Sequence, residues 1–141
     1  MQTWASGAMR AELTTERGLL VVQITGLLTK GALRDLCANG PIEAPARAVL
    51  TDVTQATVLI DVGGLRSALE ASKARSAHYP LPLAILCLKA NLPLFRDYCE
   101  SCAQIGVVRV PFTDAARAYA WARARIESAR LALLGQASRA C

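Results

Sequence analysis

This chain has one histidine, His78, and few aromatic side chains: two Phe, two Trp and three Tyr. A lone imidazole offers no second ligand for a metal and no recognisable partner for base catalysis, so His78 reads as a packed or solvated loop residue. No serine sits in a G-x-S-x-G elbow, and no glycine-rich phosphate loop runs into a lysine. No apolar run approaches the length of a membrane span. The opening ten residues, MQTWASGAMR, lack the apolar centre of a signal peptide. With no export segment, five cysteines read as reduced thiols in a cytoplasm rather than as a disulfide framework. These absences argue against an enzyme and predict neither cofactor nor metal.

What is present is apolar mass. Hydrophobic residues fill 53% of 141 positions, enough for one folded domain with a real core and too many for a disordered chain. The formal charge of +5 is uneven: residues 115–141 hold five arginines against one glutamate, so four of the five excess charges fall there.

Read in order, Met9, Ala11 and Leu13 alternate with Arg10 and Glu12, as in a half-exposed edge strand. Residues 14–18 predict a turn and residues 19–24 a second strand, together a hairpin. Thr29 is a candidate N-cap for a short helix that Asn39-Gly40-Pro41 stops, and residues 42–46 form a loop broken by Pro45. LAILCL, residues 83–88, is an uninterrupted apolar strand expected inside the sheet. Asn91 and Pro93 open the next helix, which runs to about Gln104 and stops at Gly106. Residues 107–110 are the last strand, and Thr113-Asp114 caps a last helix reaching about Leu134, before Gly135. Strands alternating with helices predict a layered α/β domain, with a mixed sheet of about five strands and about four helices. It would be a single domain over 1–141, with its core over about 9–134 and loose tails at 1–8 and 135–141.

The chain is organised around residues 47–69, RAVLTDVTQATVLIDVGGLRSAL. Ala48, Val49 and Leu50 lack alternation, as in a strand covered on both faces. A polar link then leads to Asp61, whose carboxylate can cap a helix launched from Gly63-Gly64. The glycines permit a tight turn there. Leu65, Ala68, Leu69 and Ser72 recur at helical spacing, with Arg66, Glu70 and Lys73 outside the stripe. The helix ends near Ala77, because Tyr79-Pro80-Leu81-Pro82 cannot continue it. A helix start after such a turn is also a candidate anion site.

This stretch resembles the central signature of STAS domains, the family of anti-sigma-factor antagonists and sulfate-transporter tails. There a strand ending in Asp leads to Asp-Ser-Ser-Gly-Leu and a helix. Asp52 and Asp61 match the two acidic positions, and Gly64 and Leu65 match the Gly-Leu. Val62 and Gly63 stand where the family has its two serines, the second of which is phosphorylated in the regulatory switch. The remainder, over about residues 9–126, resembles the SpoIIAA-like branch, bacterial proteins related to CRAL-TRIO lipid-transfer domains. The resemblance implies a regulatory, protein-interaction domain without the phospho-acceptor serine. Its partner-facing surface would be Asp61, Val62, Gly63, Gly64, Leu65 and Arg66. It also implies an alternative, a small carrier of a hydrophobic molecule or lipid. Assembly as a homodimer stays open.

Three constellations remain to be weighed. Cys99-Glu100-Ser101-Cys102 is a C-x-x-C, but it lies mid-helix on the apolar side with Phe95, Tyr98 and Ile105, so buried thiols are expected over redox or zinc chemistry. Two acids, Asp52 and Asp61, near strand ends and without a base or nucleophile read as turn and cap residues. In the last helix Ala115, Ala118, Tyr119, Ala122, Ile126, Ala129 and Leu133 form a predicted buried stripe. Arg117, Trp121 and Arg125 border it on one side, where each guanidinium can lie over the indole. Arg123, Glu127 and Arg130 border it on the other. This basic face reads first as an ordinary solvated helix surface, and as a functional alternative it suits an acidic partner or an anionic membrane. It does not suit nucleic acid, because the arginines are not interleaved with several exposed aromatics.

Overall fold

The structure, a computed structural model, describes residues 1–41, 45–75 and 79–140, without the side chains of 137–140. The strands are β1 (Gln2–Ser6), β2 (Met9–Glu16), β3 (Leu19–Thr29), β4 (Ala48–Leu59), β5 (Leu83–Leu86) and β6 (Arg109–Phe112). They form one six-stranded sheet in chain order, antiparallel from β1 to β3 and parallel from β3 to β6. The helices are α1 (Lys30–Asn39), α2 (Val62–Arg75), α3 (Leu92–Ala103) and α4 (Ala115–Ala140). α1, α2 and α3 cover one face, where Ile24, Leu28, Leu65, Leu69 and Phe95 form the main core. α4 covers the other, with Ala118 and Ala122 set on Leu19, Leu50 and Leu86.

The expected layered, mixed α/β architecture is present, with six strands in place of five. The extra one is β1, in the stretch expected to be a loose tail. It pairs with β2 from Gln2 opposite Leu13 to Ser6 opposite Met9. β2 is therefore internal rather than an edge strand, and Met9, Ala11 and Leu13 are buried. The hairpin turn is also shorter than expected. β2 pairs with β3 out to Glu16 opposite Leu19, leaving only Arg17 and Gly18 in the turn. Their φ angles of 48° and 82° are those of a type I′ turn, whose twist matches the strands.

β3 and β4 both run on past the short strands read from the sequence. The ladder slips between Gln23 opposite Asp52 and Thr25 opposite Gln55, so β4 carries an extra residue there. The slip breaks the side-chain alternation, and the continuing strand looks like a polar link. Thr29 caps α1 by accepting from the Ala32 amide at 3.3 Å. Asn91 stands at the start of α3 but its side chain makes no capping bond; Lys89–Asn91 form a single 3-10 turn instead. After α3, Gly106 at φ 76° turns the chain, Ile105 is left exposed, and β6 starts later than expected, at Arg109. The end expected for α2 near Ala77, and His78, lie outside the described residues, as do residues 42–44 of the preceding loop.

α4 departs most. It continues through Gly135 to Ala140, so the expected C-terminal loose tail is helical over that range. Of its predicted stripe only Ala118 and Ala122 are buried and Ile126 half-buried; Ala115, Tyr119, Ala129 and Leu133 are exposed. For Ala129 and Leu133 the reason is length. Twenty-six helical residues span about 39 Å, whereas the four-residue strands β5 and β6 span about 13 Å each, so the second half of α4 has no sheet beneath it.

Candidate functional site

The predicted partner-facing surface sits where β4 hands over to α2. Asp61 Oδ1 accepts the Gly64 amide at 2.8 Å, and the Asp61 carbonyl accepts the Leu65 amide at 3.0 Å, so the carboxylate caps the helix as expected. That carboxylate occupies the Gly64 amide that an external anion would use. The helix begins at Val62, which places both glycines inside its first turn. Asp61, Gly63 and Arg66 are exposed and Val62 is half-buried, while Gly64 and Leu65 point inward. The six residues thus divide into an outward set of four and an inward pair.

The glycines have different duties. A Cβ on Gly64 would lie 2.6 Å from Ile60 Cγ1, whereas one on Gly63 would meet only Asp61 Oδ1 at 3.5 Å. The expected obstruction by a side chain therefore holds for Gly64 and not for Gly63. We expect Gly64→Ala to destabilise the protein by about 1–2 kcal/mol, an overpacking penalty partly offset by better helix propensity. Gly63→Ala should be neutral or stabilising by up to about 1 kcal/mol. Urea unfolding of the two variants checks this; equal stabilities would contradict the assignment.

Asp52 is not at a strand end. It is the fifth residue of β4 and the last one paired with β5. Its Oδ1 accepts from the Thr54 amide at 2.9 Å and the Thr54 hydroxyl at 2.7 Å, pinning the bulge. About 23 Å of strand separates it from Leu59, so the structure does not bring the two acids together.

On α4 only Arg125 lies over the Trp121 ring, at 5.1 Å. Arg117 instead gives its amide to the Asp114 carboxylate, the expected cap, at 3.0 Å. Trp121 is half-buried against Phe112, their centroids 5.8 Å apart, so it is a packing residue more than a surface platform. Arg123 donates to the Arg17 carbonyl at 3.2 Å and ties α4 to the β2–β3 turn. Glu127 and Arg130 form an exposed pair at 4.0 Å, which contributes little. Cys99 and Cys102 are buried in the middle of α3, as expected. Burial, and then the neighbouring Cys102, push the Cys99 thiol up to about 12, and burial raises Cys102 as well, so both stay protonated and inert at neutral pH.

Sequence reasoning missed a cavity of about 160 Å³ between the sheet and α1–α3. Leu20, Val22, Leu28, Leu33, Leu69 and Phe95 line it with apolar surface. Among the described residues Cys37, Thr51, Ser72, Arg75, Tyr98 and Arg109 supply its polar lining. Arg109 is 7% exposed, and its guanidinium donates to the carbonyls of Leu81 at 2.6 Å, Tyr79 at 3.1 Å and Val108 at 3.2 Å. Arg75 donates to the carbonyls of Gly40 at 2.9 Å and Cys37 at 3.4 Å. Burial raises the Cys37 thiol, against a hydrogen bond to Ser72 and the charges of Arg109 and Arg75. A single buried arginine in β6 was the only sequence signal, and nothing in the local pattern marked it.

No family model matches the chain, and no curated protein matches it. The chain is similar in fold to two solved proteins. One is an uncharacterized protein of the DUF3478 family with a SpoIIAA-like fold from Shewanella loihica, at 15% identity and a TM-score of 0.49, covering 84% of this chain and 98% of that one. The other is an anti-sigma factor antagonist from Mycobacterium paratuberculosis, at 13% identity and a TM-score of 0.46, covering 82% and 94%.

Proposed function

We propose that this protein is a non-enzymatic, STAS-like interaction domain whose partner docks on the start of α2 and the strand ends beside it. One observation carries the reading. Exposed Asp61, Gly63 and Arg66 stand on a helix start fixed by its own cap, next to Leu59, which is 57% exposed. Leu27 on β3, 40% exposed and paired with Thr57, lies with Leu59 on the sheet face opposite the one α2 covers, since its neighbour Leu28 is buried under α1–α3. A capped helix start that presents a carboxylate and a guanidinium at the end of β4 suits a protein surface better than a reaction. Both acids of the signature are already engaged in capping and bulge bonds. The test is capture from the native host with wild type and Gly63→Trp, the latter confirmed folded. The reading expects proteins held by the wild type to be lost with the variant; identical sets from both would remove this surface from the account.

The cavity favours a second reading, a carrier of a small hydrophobic molecule. An apolar cavity with a polar tip, open on one side and walled by the larger of the two cores, offers a small molecule apolar surface on several sides. Native mass spectrometry of gently purified protein separates the readings: a co-purifying small molecule supports the carrier, and a clean apo mass leaves the interaction domain.

A further inference from the structure

Arg109 carries a charge that the cavity does not balance. It is 7% exposed, and among the described residues no carboxylate lies within ion-pair distance of it. Arg75 adds a second guanidinium to the same lining, and among the described residues no acidic side chain lines the cavity. Taking a cation out of water is expensive unless an anion or a full set of hydrogen bonds replaces the solvent. The three main-chain carbonyls offset part of that cost but bring no negative charge. The apolar walls are leucine, valine, isoleucine and phenylalanine, with Pro41 and Ala68. Their volume of about 160 Å³ is close to that of an engineered apolar cavity that accepts benzene.

We propose that the cavity binds a small organic carboxylate, with an apolar body of roughly benzene size against Leu28 and Phe95 and its carboxylate on Arg109. The proposal rests on the carrier reading and gives it a ligand class. The Leu81, Val108 and Tyr79 carbonyls take three of the five guanidinium hydrogens, which leaves Nε–H and one Nη2–H for the two oxygens of a carboxylate, a pairing an alcohol cannot make. A phosphate would bring a larger, more strongly hydrated head to a site whose other polar lining, among the described residues, is Thr51, Ser72, Cys37, Tyr98 and Arg75. Arg109 has a structural duty as well, holding the main chain at Tyr79 and Leu81, so the decisive comparison is made between ligands on the unaltered protein.

The experiment titrates the wild-type chain near neutral pH with benzoate and hexanoate and with their alcohols, benzyl alcohol and hexanol. Each carboxylate should bind about tenfold or more tightly than its alcohol, and a benzoate complex should place the carboxylate on Arg109. In Arg109→Lys, which keeps the charge but loses the fork, the preference should fall to about threefold or less. Alcohols that bind as tightly as the acids would overturn the assignment of the head group and leave a plain apolar carrier standing. If none of the four probes binds at about 10 mM, the carrier reading falls too. Benzoate found outside the cavity, or a preference unchanged in Arg109→Lys, would overturn the role given to Arg109.

Discussion

Gly26→Ala is expected to destabilise the protein by about 3–5 kcal/mol, a large share of the stability of an ordinary domain. Two independent effects meet at this position. Gly26 has φ 80°, a conformation that costs an alanine about 1–2 kcal/mol. A Cβ there would also lie 2.0 Å from the Ala8 carbonyl oxygen, a backbone atom that cannot rotate away. Relief requires β2 and β3 to part at Met9 opposite Gly26 and loses the bond from the Leu27 amide to the Ala8 carbonyl. Position 31 is the control: Gly31 in α1 has ordinary φ and open space, so Gly31→Ala should gain up to about 1 kcal/mol from helix propensity. Thermal unfolding should place Gly26→Ala on the order of 10 °C below the wild type. A difference under about 1 kcal/mol would mean that the junction of β1, β2 and β3 is packed differently.

The second large effect is expected from Gly63→Ser. In the STAS domains that the sequence of this turn resembles, a switch places about −1.5 to −2 charges on a serine at a helix start. Gly63 offers no hydroxyl, and Val62 none either. The nearby hydroxyls are turned to other uses: Ser67 accepts from Arg34 at 3.3 Å, and Thr57 lies in the β3–β4 ladder opposite Leu27. The wild type should therefore take up no phosphate at this turn. Gly63 is not in the left-handed region and has room for a Cβ, so a serine fits without strain. Its phosphate would stand beside the Asp61 carboxylate and over the surface proposed for the partner, with Arg66 about one turn further on. Incubation with an anti-sigma-factor kinase and mapping by mass spectrometry should find phosphate on Gly63→Ser and none on the wild type. Stoichiometric phosphate on Thr57 or Ser67 of the wild type would mean that a switch exists at a shifted position.

How much of this was legible follows from which features are local. The caps at Thr29, Asp61 and Asp114 were readable because a short polar side chain before an apolar-periodic run has one good use. β1 was not, because Gln2–Ser6 carries no alternation and exists as a strand through its pairing with β2. The length of β4 was hidden by the bulge at Asp52–Thr54, which moves later side chains to the opposite face. Periodicity along α4 identified the face that meets the sheet at Ala118 and Ala122 but could not say where the sheet ends. Of the proposed surface, the sequence identified Asp61 to Arg66. It could not identify exposed Leu27 and Leu59, which become neighbours only through strand register. The cavity and its buried Arg109 depend on side-chain volumes contributed by five strands and three helices and leave no signature in any one of them.

The interaction surface is tested most directly by photo-crosslinking in the native host. Benzoylphenylalanine at position 63 samples the proposed surface, and the same residue at position 131 samples the exposed second half of α4. Position 63 tolerates a side chain and position 131 already carries an exposed leucine, so neither replacement disturbs the core. The account predicts a discrete crosslinked protein from position 63 that is absent from position 131. Crosslinks from position 131 alone would contradict it and move the partner to the basic helix.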